Sequence, residues 1–91
     1  MSTNSKDFLK AAEQVNKLAN TPTNDELLTL YGLYKQATLG DVTTERPGFF
    51  YFREQKKWDA WDSFKGTEQK TSENNYINLV SALTKKYGLA N

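Results

Sequence analysis

Ninety-one residues with a formal net charge of +1, 37% of them hydrophobic and 25% charged, are expected to fold as one domain spanning 1–91 around a single modest core. The chain has no cysteine and no histidine. That excludes a disulfide scaffold, a zinc finger and thiol chemistry, and it removes the commonest general base and metal ligand. So small a net charge argues against general nucleic-acid binding. The longest apolar run, Phe49-Phe50-Tyr51-Phe52, falls far short of the roughly 20 residues of a membrane-spanning helix, and the opening MSTNSKDF lacks the apolar centre of a secretory signal.

Periodicity predicts four helices. The first, over 5–19, aligns Phe8, Ala11/Ala12, Val15 and Leu18/Ala19 on one face; Asn4 or Ser5 caps it, and Asn20-Thr21-Pro22 ends it. The second, over 24–39, starts with a capping box from Thr23 to Glu26 and stops at Gly40. Its apolar stripe is Leu27, Leu30/Tyr31, Tyr34 and Ala37/Thr38, with Leu28 and Leu33 on its flanks. Residues 40–51 read as a long irregular loop whose aromatic end is expected to pack onto the bundle, with Phe49, Phe50 and Phe52 as core anchors or, if partly exposed, as a group that binds an apolar ligand. The third helix, over 52–64, repeats Trp58, Trp61 and Phe64 and ends at Gly66; the fourth, over 68–87, turns Tyr76/Ile77, Val80, Leu83/Thr84 and Tyr87 inward and ends at Lys85-Lys86 and Gly88. No pair of strands carries turn signals, so the expected fold is an all-α four-helix bundle with a long loop between helices two and three.

Tyr31, Tyr34 and Lys35 form the most informative cluster. Tyr31 and Lys35 are one helical turn apart and can present a phenol and an ammonium to one anionic ligand, beside an aromatic face that can stack on a base. The plainer alternative leaves Tyr34 in the core and Lys35 in water. Arg53, Lys56 and Lys57 make a second basic patch, which solvent alone could equally well satisfy. Tyr76 can be core or a cleft wall. Asp59 and Asp62, like Asp25 and Glu26, have no metal-binding or catalytic spacing, and no phosphate-loop, nucleophile-elbow or dinucleotide motif is present.

Four stretches, in order and spacing, make the chain resemble the acyl-CoA-binding protein family, also known as diazepam-binding inhibitor. They are Tyr31-Gly-Leu-Tyr34-Lys35-Gln36-Ala37-Thr38, Gly40-Asp41-Val-Thr-Thr-Glu45-Arg46-Pro47-Gly48, Lys57-Trp58-Asp59-Ala60-Trp61 and Lys85-Lys86-Tyr87-Gly88, within a match from Phe8 to Gly88. The resemblance implies an up-down-down-up bundle that binds one long-chain acyl-CoA per monomer. It implies that Tyr31, Lys35 and Lys57 hold the 3′-phosphate of the CoA ribose, that Tyr76 contacts the adenine region, and that Tyr34 lies near the nucleotide. Phe8, Leu27 and Leu28, with Ala12, are assigned to the acyl groove. Arg53 stands where many members carry lysine and is counted with the CoA-binding residues. Asn16 and Thr21 also replace lysines common in the family, which lowers the positive potential around the ligand's polar parts. Phe49-Phe50-Tyr51-Phe52 is more aromatic than the usual methionine- or leucine-containing version, which could narrow the acyl groove or simply repack it.

The function so implied is a non-catalytic cytoplasmic carrier, with no cofactor, that shields medium- to long-chain acyl-CoA and maintains and transports the pool. It is expected to be a monomer that binds no nucleic acid and has transient contact with acyl-CoA-using enzymes or membranes. A buried tail of about 12 to 16 carbons, at about 0.8 kcal/mol per CH₂, can dominate affinity. The ester should therefore bind strongly, bare CoA less and free fatty acid hardly at all, and Lys35→Ala should weaken the ester. Three rivals remain: a protein-interaction module using a Trp/Phe surface, which exposed Trp58 and Trp61 would favour; a thioesterase; and a nucleic-acid binder.

Overall fold

Local capping starts two of the helices where the sequence marks them. In the computed structural model, which describes residues 4–90, α1 spans Lys6–Val15, α2 Asn24–Leu39, α3 Phe52–Asp62 and α4 Gln69–Tyr87. Met1–Thr3 and Asn91, which the expected domain 1–91 includes, lie outside the described residues. The Ser5 hydroxyl accepts the Phe8 amide at 3.1 Å and so caps α1. At the start of α2, Thr23 Oγ1 accepts the Glu26 amide at 3.2 Å while the Glu26 carboxylate accepts the Thr23 amide at 2.8 Å, completing the expected capping box.

Helix α1 is shorter than its periodicity suggests. It stops at Val15, and Asn16, Lys17 and Leu18 donate to carbonyls three residues back, a tightened last turn. The next backbone groups are taken by the far end of the chain: Ala19 donates to the Gly88 carbonyl at 2.8 Å, and Ala90 donates to the Lys17 carbonyl at 2.7 Å. An isolated antiparallel bridge between Leu18 and Leu89 results, so the residues meant to extend α1 instead tie it to the end of α4. Helix α3 likewise ends at Asp62 rather than 64, in a run of short turns closed by Gly66 at φ +88°.

The helices pack up-down-down-up, with α4 against both α1 and α2, and α3 against α2. Phe8, Leu30, Leu33, Ala37, Tyr76, Val80 and Leu83 form the buried core. Leu33 is therefore central rather than flanking, whereas Tyr34 is 40% exposed. Gln36 is also buried, donating from Nε2 to Asp41 Oδ1 at 2.8 Å and to the Thr67 carbonyl at 2.9 Å. Asp41 accepts the Gly66 amide as well, at 2.8 Å, so one polar knot joins α2, the long loop and the α3–α4 turn. Among the described residues, no helix is long and apolar enough to cross a membrane.

The aromatic end of the long loop corrects the expectation made for it. Phe49 and Phe50 are 74% and 81% exposed, and Tyr51 and Phe52 are also exposed, so none is a core anchor. Other groups fasten the loop: buried Val42, the Trp61 indole donating to the Gly40 carbonyl at 2.8 Å, the Trp58 indole donating to the Thr44 carbonyl at 3.0 Å, and a bidentate Arg46–Asp59 pair. The part of α3 that meets the bundle holds Ala60 and Trp61, far along the helix from Phe52.

Gly32 sets how closely α2 and α3 approach. A Cβ there would sit 2.5 Å from the Ala60 carbonyl oxygen and 2.8 Å from the Phe64 ring. Glycine in a helix interior costs about 1 kcal/mol relative to alanine, and here the close contact of backbones accounts for it. Gly32→Ala is expected to lower unfolding free energy by about 1–3 kcal/mol in urea denaturation, despite its better helix propensity; a gain in stability would show that the two helices do not meet as described.

Glu26 also accepts the Tyr87 hydroxyl at 2.5 Å and the Lys86 ammonium at 2.9 Å, joining the start of α2 to the end of α4. The Tyr87 hydrogen bond first, then the Thr23 amide and Lys86, lower its pKa to about 2. A carboxyl with a depressed folded pKa contributes stability above its unfolded value of about 4.3, and that contribution is lost as pH falls toward about 2. Between about pH 6 and pH 3, Glu26→Gln should thus show a shallower loss of stability than the parent, while Asp41 and Asp59, also lowered, leave a residual slope. Equal slopes would mean that the Glu26 contacts do not persist in solution.

Candidate ligand-binding site

The first half of α2 and the first half of α3 enclose an open groove of about 580 Å³. Its α2 wall is Asn24, Asp25, Leu27, Leu28 and Tyr31, and its α3 wall is Phe52, Arg53, Lys56 and Lys57. Leu27, Leu28 and Phe52 give it apolar surface, and Arg53, Lys56 and Lys57 outweigh the one carboxylate, Asp25, in its lining. The volume falls within the roughly 300–1,000 Å³ range of small-molecule sites. A smaller recess of about 170 Å³ shares Tyr31 and Lys57 with the groove and adds Thr44, Pro47, Glu54, Trp58 and Trp61. Tyr31 and Lys57 therefore line both spaces.

Around Tyr31 two ammonium groups converge from different helices. Lys57 Nζ lies 4.9 Å from the Tyr31 ring centroid, and Lys35 Nζ lies 5.8 Å from the same ring and 5.5 Å from the Trp61 ring. Such contacts contribute about 0.5–1 kcal/mol at exposed sites. Among the described residues neither lysine forms an ion pair: the basic side chains that do are Arg46, with Asp59, and Lys86, with Glu26. Two like charges held against one ring, neither in an ion pair although Glu54 lines the same recess, create a site that an anion would relieve. Lys35 comes one turn after Tyr31 on α2, whereas Lys57 arrives only because α3 closes over Gly32.

The remaining candidates are placed elsewhere. Phe8, Tyr34 and Tyr76 form an aromatic group where α1, α2 and α4 meet, with ring centroids 5.6 Å apart for Phe8–Tyr34, 5.0 Å for Phe8–Tyr76 and 6.0 Å for Tyr34–Tyr76. Phe8 is fully buried there, and Ala12 packs onto the same core, so neither lines the groove between α2 and α3. Tyr34 keeps an exposed side. Burial, with the neighbouring Tyr34 adding, pushes the Tyr76 pKa up to about 12. Leu27, Leu28 and Arg53 stand in the groove wall.

The sequence offered Phe52 only within the aromatic run 49–52, as a group that could border the acyl groove, and it did not single out Asn24 and Asp25 beside it or Trp61 as a neighbour of Lys35. An aromatic residue at a helix start directly before a basic patch was the available signal for Phe52. The Trp61–Lys35 contact crosses helices and has none. Trp61 is 9% exposed, Trp58 is half-buried, and both indole N–H groups bond to the loop, so the tryptophans do not form the open surface an interaction module would need.

Residues 5–80 match the model of the family described as acyl-CoA-binding protein. An acyl-CoA-binding protein of Saccharomyces cerevisiae is 49% identical over 80 residues, covering 88% of this chain and 92% of that protein. One from Brassica napus is 51% identical over 77 residues, covering 85% of this chain and 84% of the other. The crystal structure of Oryza sativa acyl-CoA-binding protein 2 superimposes with a TM-score of 0.86 at 42% identity, covering 89% of this chain and 88% of that one.

Tyr76 offers a check on the aromatic group. In ultraviolet titration, one tyrosine should ionise about two pH units above the ordinary value of about 10, and Tyr76→Phe should remove that step. Because its folded pKa is raised, Tyr76 contributes stability that is complete below about pH 10 and is lost as pH rises toward about 12. Ionisation of every tyrosine near the ordinary value would place Tyr76 in water instead.

Proposed function

The chain belongs to the acyl-CoA-binding protein family, and from that premise we propose that it is a non-catalytic carrier of medium- to long-chain fatty acyl-CoA esters. The observation that carries this reading is the pairing of two ammonium groups around Tyr31, neither in an ion pair, with an adjoining, partly apolar groove. A CoA ester has both complements. Its 3′-phosphate and pyrophosphate are anionic, its purine has a face to stack, and its acyl chain is apolar.

In this reading Lys35 and Lys57 hold the 3′-phosphate, and Tyr31 donates its hydroxyl to the same group. Exposed Tyr34 lies near the nucleotide, and buried Tyr76, against its ring, supports the adenine region from behind it. The acyl chain follows Leu27, Leu28 and Phe52 along the groove, with Arg53 and Lys56 also in its lining. Phe8 and Ala12 act behind the wall, shaping it through the core rather than touching the tail. Covering the chain removes it from water, which keeps the ester from micelles and membranes. Neither histidine nor cysteine is available to attack the thioester.

The protein is further proposed to act as a monomeric single domain in the cytoplasm, where a cysteine-free chain has no need of an oxidising compartment, and to maintain and deliver the acyl-CoA pool to enzymes that use it.

Calorimetric titration with palmitoyl-CoA, CoA and palmitate tests the reading. The ester should bind 1:1 with Kd below about 1 μM, CoA more weakly, and palmitate with no measurable heat. Across a chain-length series, affinity should rise by up to about fourfold per CH₂, corresponding to about 0.8 kcal/mol, until the groove is filled. Equal affinity for ester and free acid would contradict the reading, as would hydrolysis of the ester during the titration.

A further inference from the structure

We propose that the loop tip at Phe49 and Phe50, with the cations that follow it on α3, is a docking surface for an anionic lipid bilayer. The inference rests on the carrier reading, since a carrier of this cargo gains from meeting the surface where its ester partitions.

The tip is exposed and stiff. Phe49 and Phe50 are 74% and 81% exposed, Tyr51 is exposed beside them, and the two phenylalanine rings stack with centroids 4.2 Å apart. Adjacent aromatic rings left in water form an unfavourable surface unless something covers them. The segment is held on both sides: Tyr51 donates to the Gly48 carbonyl at 2.9 Å, Gln55 Nε2 to the Pro47 carbonyl at 2.8 Å, and Arg46 pairs with Asp59 at the loop's base. The rings are thus presented by a turn that is already formed, and covering them needs little further ordering.

Charge points to the occupant. After the aromatic tip come Arg53 and Lys56, with Lys57 beyond them at the phosphate site, against a single acidic residue, Glu54, within 49–57. Aromatic side chains beside cations suit the boundary between acyl chains and anionic headgroups, where rings enter the boundary and cations stay at the phosphates. The tip also continues into the groove: Phe52 and Arg53, next in sequence, are part of its wall. Docking by Phe49 and Phe50 would therefore place the groove's α3 wall at the lipid surface, where an acyl chain can pass without crossing water.

The test is co-sedimentation of the full chain with phosphatidylcholine vesicles and with phosphatidylcholine/phosphatidylserine vesicles, comparing the parent with Phe49→Ser/Phe50→Ser. Both positions are highly exposed, so the variant should fold, and far-UV circular dichroism checks that it does. The parent should bind the anionic vesicles more tightly than the neutral ones, and binding should weaken with salt. The variant should bind them at least about tenfold less, and should take palmitoyl-CoA from them more slowly. Its calorimetric affinity for palmitoyl-CoA without vesicles should stay within about twofold of the parent's. Absence of parent binding to anionic vesicles, or equal binding by the variant, would overturn the proposal. So would self-association of the parent that the variant loses, which assigns the tip to a second copy, or loss of ester affinity in the variant, which assigns it to the acyl site. The two readings fail separately: the carrier reading falls on calorimetry of the parent chain, the docking surface on sedimentation.

Discussion

The close approach of α2 and α3 at Gly32 is the constraint on which the site depends. With no side chain at that position, the Ala60 carbonyl lies where a Cβ would otherwise be. Lys57, one turn before Ala60, is thereby brought to 4.9 Å from the ring of Tyr31, the residue preceding Gly32. Lys35, one turn after Tyr31, reaches the same ring from its own helix and the Trp61 ring from the other. Spreading the helices by even the width of a methyl group would loosen the two contacts that cross between them, Lys57 with Tyr31 and Lys35 with Trp61. The like charges so gathered repel one another, and the small cation–π contributions do not remove that repulsion. A bound anion does, so the same geometry that disfavours the empty site favours the loaded one.

The rest of the bundle holds this arrangement. Helix α4 lies against α1 and α2 and supplies Tyr76, Val80 and Leu83 to the core. Glu26 fastens the start of α2, where Leu27 and Leu28 stand in the groove, to Tyr87 and Lys86 at the end of α4. At the other end of α2, Gln36 and Asp41 fix the beginning of the long loop and the turn after α3. The loop is then secured by both tryptophans and by Arg46, so little of it is free, although its aromatic tip faces water.

Much of this was legible in the sequence where the deciding forces are local. Helix α2 matches its expected bounds because a capping box opens it and Gly40 closes it. Helix α1 does not, because its last residues are claimed by hydrogen bonds to residues 88 and 90, a pairing no periodicity can register. Gln36 resembles a surface residue in the sequence, yet it is buried since two acceptors, the nearby Asp41 and the distant Thr67, meet its amide. For the site, the spacing of Tyr31 and Lys35 on one helix was readable, and Lys57 appeared as part of a basic patch. Their convergence belongs to the packing of α2 on α3, which only the resemblance anticipated. Aromatic composition misled at Phe49 and Phe50, because hydrophobicity gives the preference for burial but not whether a helix end can reach the core.

The central claim is that Lys35 and Lys57 act together on one phosphate. A thermodynamic cycle tests it directly, with calorimetry of palmitoyl-CoA and 3′-dephospho-palmitoyl-CoA against the parent chain and Lys35→Ala, Lys57→Ala and double variants. Loss of the phosphate should weaken binding to the parent by about tenfold or more and have little effect on the double variant, a coupling of at least about 1.4 kcal/mol. An equal loss in parent and double variant would place the phosphate elsewhere and contradict the account.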